Sequence, residues 1–201
     1  MIKKDRVIGI DPDCDKSGVT ELHIKSRCLN VTNLSFPLLV DYLKYMKEDF
    51  VDRQKESVIV VVEAGWMNES NWHATRSSPA AAAKIGQNTG RNHEVARKIA
   101  EMARHIGLEV DEIKPLKKCW KGKDGKITQE ELSKIVGGLD KRLNQDARDS
   151  CILSWVYAGL PVNTIFDHNS FIIYRCNAPL PPRCRPLPLP RKCHRLSGHG
   201  R

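Results

Sequence analysis

Acidic residues follow two apolar segments of the chain, and a further pair of acids lies nearer its C-terminus. Asp11 comes directly after "RVIGI", and Glu63 comes directly after "VIVVV". Asp146 and Asp149 are three residues apart, so they lie on one face of any helix that contains them. Four carboxylates held together repel one another and lose hydration, which opposes folding unless a cation lies among them. Hard divalent cations such as Mg²⁺ prefer carboxylate oxygens as ligands.

Two divalent ions about 4 Å apart stabilise the attacking and leaving oxygens when a phosphodiester bond is cleaved. If the fold brings the four acids together, they therefore indicate a nuclease. The first acidic segment has a simpler interpretation as well. Asp13, Asp15 and Gly18 stand close behind Asp11, and residues of these types are common in solvated turns.

The elements that must position these acids are strands and helices in a definite order. Alternating apolar residues predict three antiparallel strands at Val7–Ile10, Val19–Ile24 and Cys28–Leu34. The β-branched run Val58–Val62 is typical of a central strand buried on both faces, and Leu108–Ile113 is a further strand. Because parallel strands present their carboxyl ends at one edge of a sheet, Asp11 and Glu63 are expected to meet there.

Helices are predicted between and after the later strands. One apolar stripe predicts a helix after Pro37, and a second predicts a helix over residues 91–107, preceded by a polar loop that contains Ala and Gly. Thr128 and Glu131 form a capping box for a short helix, and Asn144 is the N-cap of the last one. This order predicts a mixed α/β sheet with helices on its faces.

Three segments resemble the motifs of the RuvC family of Holliday junction resolvases, which have the RNase H-like fold. They are "VIGIDPDCDKSGV", "VIVVVEAG" and "NQDARDSCILSWVYAG", and the resemblance extends over about residues 5–160. It implies a mixed five-stranded sheet, three strands antiparallel and the others parallel, flanked by helices. It also implies a homodimer that makes paired nicks across four-way DNA junctions in recombination or in the processing of branched DNA.

The same resemblance assigns roles to the acids. It implies that two Mg²⁺ ions, with Mn²⁺ able to replace them, are bound by Asp11, Glu63, Asp146 and Asp149. A metal-bound water would then attack the phosphodiester and leave a 5′-phosphate at the nick.

The resemblance also suggests positions that contact DNA. Lys118, or its neighbour Lys117, lies near a family lysine that acts at the scissile phosphate, although a solvated lysine-rich loop explains each lysine nearly as well. Trp66 lies where the family carries an aromatic residue that unstacks bases, and packing in the core is the alternative. The remaining candidates for DNA contact are Arg91, Lys121, Lys123 and Lys126.

The last 27 residues differ in composition from the rest of the chain. Residues 175–201 contain seven of the basic residues and no acid, so they carry +7 of the formal charge of +9, and they hold six of the eleven prolines. This composition predicts a disordered basic tail, which would bind a polyanion or only aid solubility, after a nuclease domain over residues 1–174. Without a long apolar run or a secretory signal, the chain is expected in the cytoplasm, in a bacterial or phage setting, with no membrane partner.

Two other functions compete with the nuclease. The segment "GIDPDCDKSG" also resembles the first phosphate loop of the actin and sugar-kinase phosphotransferases, but 201 residues are few for two such lobes and no second Gly-rich phosphate motif is present. A branched nucleic-acid-binding protein without catalytic activity is the other alternative. The four acids disfavour it, because carboxylates near DNA weaken binding unless metal ions are present.

Overall fold

A computed structural model describes residues 3–68 and 78–162. Its centre is one sheet of five strands, in the order β3-β2-β1-β4-β5. The strands are β1 (Arg6–Asp11), β2 (Ser17–His23), β3 (Cys28–Leu34), β4 (Val58–Glu63) and β5 (Glu109–Ile113). Strands β1 to β3 pair antiparallel, whereas β4 runs parallel to β1 and β5 runs parallel to β4. The predicted mixed five-stranded sheet, with three antiparallel strands and the others parallel, is confirmed. The predicted basic tail over residues 175–201 lies outside the described residues.

Four α-helices flank the sheet. They are α1 (Phe36–Met46), which continues into a π-helix at Lys47–Arg53, α2 (Pro79–His105), α3 (Gln129–Val136) and α4 (Gln145–Tyr157). The predicted capping box of α3 is present, with both of its reciprocal hydrogen bonds. None of the helices in the two described ranges has the length and apolarity needed to cross a bilayer.

Helix α2 begins earlier than the sequence pattern predicts. It starts at Pro79 rather than Arg91, and the hydroxyl of Ser78 accepts a hydrogen bond from the backbone N–H of Ala81 as its N-cap. The predicted loop before residue 91 is therefore wrong over this stretch. Gly86 and Gly90 suggested a break, but the preceding alanines have the highest helix propensity and outweigh the two glycines.

Alternation along the strands gives each face of the sheet its own core. Ile8, Ile10 and Val62 pack with residues of α1 and α2 on one face. Val7 and Val61 pack on the other face with residues of α4. Asp11 has the same parity as Val7, and Glu63 the same parity as Val61, so both terminal acids belong to the face that α4 covers.

Small residues allow α4 to lie directly against the sheet. A Cβ atom at Gly18 would stand 2.0 Å from the backbone oxygen of Asp146, and one at Gly9 would stand 2.7 Å from that of Ser150. The hydroxyls of Thr20 and Ser150 are 2.8 Å apart and share a hydrogen bond. The two glycines therefore bring the first turns of α4 onto the strands that carry the first acidic motif.

Replacing Gly18 tests this contact. We expect Gly18→Ala to lower the free energy of unfolding by about 3 kcal/mol, because the methyl group forces the start of α4 away from β2. Gly86→Ala is the matched control, since a Cβ there meets nothing within 4 Å. In the interior of α2 it should raise stability by up to about 1 kcal/mol. Urea denaturation measures both, and equal effects of the two substitutions would contradict the close packing of α4.

Candidate active site

Asp11 and Glu63 are the last residues of two neighbouring parallel strands. The register pairs Ile10 with Val62, so the next residue of each strand lies beside the other at the carboxyl edge of the sheet. Both strands end there because turn residues follow Asp11 and a short 3-10 helix, Gly65–Met67, follows Glu63.

Asp146 and Asp149 reach the same edge from the beginning of α4. Asn144 fixes the start of that helix, since its side-chain oxygen accepts a hydrogen bond from the N–H of Ala147 at 3.1 Å. Gly18 is the register partner of Asp11 and also contacts the backbone of Asp146. The four carboxylates predicted from the sequence are thereby brought to one place.

The pKa shifts of the two strand-end acids show that the carboxylates interact electrostatically. Burial raises the pKa of Asp11 well above its ordinary value, and the charges of Glu63, Asp149 and Asp146 raise it further. Burial and then the charge of Asp149 raise the pKa of Glu63 to about 7. Without a cation, the neutral form of both carboxyls is therefore favoured more than in an isolated side chain.

The helix acids are perturbed in the same direction. Burial raises the pKa of Asp146, and the nearby charge of Asp13 adds to the effect. Burial also raises the pKa of Asp149, although a hydrogen bond from the side chain of Gln145 opposes the change. The pKa is therefore raised in all four acids.

The four acids offer carboxylate oxygens, which are the ligand type that a hard divalent cation prefers. Within residues 3–68 and 78–162, no three His, Cys, Asp or Glu side chains stand close enough to enclose one ion by themselves. Mg²⁺ ordinarily takes only one or two carboxylates and completes its shell with water and substrate phosphate. Partly buried carboxylates that raise one another's pKa meet that requirement, because a cation offsets the repulsion between them.

Two lysines bring positive charge to the acids. The ammonium of Lys126 lies 3.8 Å from a carboxylate oxygen of Asp149, and its charge lowers the pKa of each of the four acids. The charge of Lys118 lowers the pKa of Glu63 and Asp149. Of the two, Lys126 has the closer contact, although the sequence suggested Lys118 for the catalytic position.

A tight turn in the basic loop explains why two lysines eight positions apart lie together. The N–H of Gly122 donates to the carbonyl of Lys126 at 3.0 Å, and the N–H of Trp120 donates to the carbonyl of Gly125 at 3.1 Å. The glycines of "KGKDGK" give a signal for this turn in the sequence. The other predicted loop lysines are exposed on the same loop: Lys117, Lys121 and Lys123.

Two polar residues of α4 support the site and were not singled out by the sequence. The side-chain amide of Gln145 donates to a carboxylate oxygen of Asp149 at 2.7 Å. Arg148 donates to the side-chain oxygen of Gln145 at 2.6 Å and to the carbonyls of Leu143 and Ile127. This network fixes the orientation of Asp149, and the spacing within "QDARD" was its only sequence signal.

The acids outside the set of four have local partners. The N–H of Asp15 donates to the carboxylate of Asp13 at 2.9 Å, and the N–H of Asp13 donates to the hydroxyl of Ser17. These are the hydrogen bonds of an Asx-type turn. The turn interpretation of the opening acidic segment therefore holds for Asp13 and Asp15, while Asp11 belongs to the edge of the sheet.

Trp66 packs against α2. Its ring lies 4.9 Å from the guanidinium carbon of Arg97 and 6.0 Å, edge to face, from the ring of His93. The side chain is partly buried beside the core between the sheet, α1 and α2. These are the contacts of the packing alternative, and stacking on a base stays a prediction, as does DNA contact by the exposed Arg91 of α2.

Titration of Glu63 gives a prediction for the protein in chelator. Its folded pKa of about 7 exceeds the ordinary value of 4.5, so its stabilising contribution is complete below pH 4.5 and is lost as the pH rises to about 7. We expect Glu63→Gln to raise the free energy of unfolding by about 2 to 3 kcal/mol at pH 8 and to change it little at pH 4. Chemical denaturation at the two values measures the difference.

Glu48→Gln is the control for this titration, because Glu48 is exposed on the π-helix away from the site. It should leave stability unchanged at both pH values. Addition of Mg²⁺ at pH 8 should stabilise the parent protein more than Glu63→Gln, since a bound ion removes the repulsion. A variant that is no more stable than the parent at pH 8 would contradict the perturbed carboxyl.

Comparison with known proteins finds similarity at the level of structure but not of sequence. No protein-family model matches the chain, and no curated protein matches it. A solved structure, T. thermophilus RuvC in complex with Holliday junction substrate, is similar to it with a TM-score of 0.44 and 14% sequence identity. The match covers 76% of this chain and 92% of that chain. At this level the similarity assigns no function to this chain.

Proposed function

We propose that this protein is a divalent-metal-dependent endonuclease that nicks branched DNA, with the four-way junction as its substrate. The observation that supports the proposal is the convergence of four carboxylates with raised pKa at the carboxyl ends of β1 and β4. A basic loop stands beside them, as the cleavage of a polyanion requires.

Each acid has a role in this proposal. Asp11 and Glu63 from the strands, with Asp146 and Asp149 from α4, would hold two Mg²⁺ ions, which Mn²⁺ can replace. When bound, these ions supply an activated water and stabilise charge on the phosphate oxygens. Gln145 keeps the carboxylate of Asp149 in one orientation.

The proposal also gives roles to two lysines and to helix α2. Lys126 and Lys118 neutralise negative charge on the scissile phosphate and bring the backbone toward the acids. The exposed first half of α2 is the surface through which two copies would pair. A two-fold axis would then relate two active sites, which suits paired nicks in a symmetric junction. The choice of a four-way junction follows from the motif resemblance in the three acidic segments.

The decisive experiment compares substrates and acids. Labelled four-way junction, matched linear duplex and a flap are incubated with Mg²⁺ or chelator, using the parent, Asp11→Asn and Asp149→Asn. We expect symmetric, metal-dependent nicks in the junction by the parent, and a rate at least about 100-fold lower in both variants, because each loses a charged metal ligand.

Asp15→Asn is the matched control, as Asp15 belongs to the same acidic segment but is exposed in the turn. It should cut at nearly the parental rate. Parental rates in Asp11→Asn or Asp149→Asn would refute the site. Tight junction binding by the parent without cutting under any metal would instead favour the binding protein without catalytic activity.

The position of Lys126 generates a second prediction. Lys126→Gln should lower the cleavage rate by about 10-fold or more, because its ammonium is the closest cation to Asp149. Lys117→Gln, which removes an exposed lysine from the same loop, should have a smaller effect. Single-turnover cleavage of the junction at saturating protein separates the chemical step from binding. Equal rates in the two variants would remove Lys126 from the site.

A further inference from the structure

A groove lies beside the four acids and encloses about 940 Å³. One wall is the turn of the basic loop together with the start of α3, at residues 122–130. The other wall is the segment that joins α3 to α4, together with the first turn of α4. No sequence motif indicated residues 139–142 of this second wall, since the third acidic motif begins only at Asn144.

The charge of the lining is predominantly basic. Two of the basic residues come from the loop and three from the second wall: Lys123, Lys126, Lys141, Arg142 and Arg148. Three acids also line the groove: Asp124, Glu130 and Asp140. The lining therefore carries a net positive charge and is suited to an anionic ligand.

Two basic residues of the groove connect it to the proposed active site. Lys126 lies 3.8 Å from Asp149 and also lines the groove. Arg148 lines the groove and is linked to Asp149 through Gln145, which both residues contact. A nucleic-acid strand whose phosphate reaches the acids can therefore continue into the groove without leaving positive charge.

The backbone of the second wall is held in place by a side chain of α3. The side chain of Gln129 donates to the carbonyl of Lys141 at 3.0 Å and accepts from the N–H of Leu143 at 3.0 Å. Lys141 and Arg142 are themselves exposed. Two cations are thus presented to solvent from a backbone that α3 fixes at both ends, which lowers the entropy lost when they bind a ligand.

We propose that this groove binds the phosphodiester backbone of the strand that flanks the scissile phosphate, with Lys141 and Arg142 as its phosphate contacts. The inference rests on the proposed function, because it takes branched DNA as the ligand. It adds a binding surface outside the basic loop and the acidic motifs, formed by residues 139–142.

Binding to a labelled four-way junction in chelator tests the groove without requiring catalysis. Lys141→Gln/Arg142→Gln should bind about 10-fold more weakly than the parent, and the slope of log affinity against log salt should become shallower by about 2, since two phosphate contacts are lost. Asp140→Asn should bind more tightly than the parent, because it removes a negative charge from the same lining.

The control is Lys25→Gln/Lys55→Gln, which removes the same charge from exposed positions. Both lysines lie near the ends of β2 and β4 that point away from the acids. It should bind like the parent and keep its salt slope. Equal affinities in the groove variant and this control would overturn the proposal, as would weaker binding by Asp140→Asn. Thermal melting of all variants verifies that they fold.

The outcomes also separate the groove from the nuclease. Metal-dependent cutting by the parent, with binding unaffected in the groove variant, would reject the groove and leave the endonuclease standing. Weaker binding in the groove variant together with no cutting by any protein would support the groove and reject the endonuclease. A parent protein that binds no DNA would reject both.

Discussion

The close contact between α4 and the first two strands is the constraint on which the rest of the site depends. A helix normally stands away from a sheet by the length of the intervening side chains, but Gly9 and Gly18 have none. The backbone of α4 therefore lies on β1 and β2, and its first turn reaches the end of β1. Without that close contact, Asp146 and Asp149 would lie farther from Asp11 by the length of a side chain, and their charges would not act on it.

Bringing the acids together has a cost in stability that the remaining structure offsets. Desolvation raises the pKa of all four carboxyls, and repulsion by neighbouring acids adds to it for Asp11, Glu63 and Asp146, which destabilises the folded state where they are ionised. The two separate cores on the faces of the sheet hold the strands and helices in spite of this repulsion. Without a cation this arrangement is unfavourable, and the proposed divalent ions would offset that cost.

The basic side chains near the four acids come from one loop and one helix. The turn at Gly122 and Gly125 places Lys118 and Lys126 on the same side of the acids, although they are eight positions apart. Arg148 approaches from α4, where it also fixes Gln145. These basic side chains therefore lie on the side of the acids that faces the groove. A phosphate group there is attracted by them before it comes close to the carboxylates.

Local patterns in the sequence predicted the strands, the caps of α3 and α4, and the four acids that approach one edge of the sheet. Period-two alternation, β-branched runs and a capping box depend on neighbouring residues, so a linear reading detects them. The same reading failed for the start of α2, where Gly86 and Gly90 suggested a loop, because helix propensity is summed over a segment and the alanines outweighed them. Other features became visible only in the folded chain: the approach of Lys126 to Asp149, the orientation of Asp149 by Gln145 and Arg148, the packing of Trp66 on Arg97, and the groove near the acids. The physical reason is that these contacts join side chains from separate elements, and their distances depend on how closely those elements pack, which no local pattern in the sequence encodes.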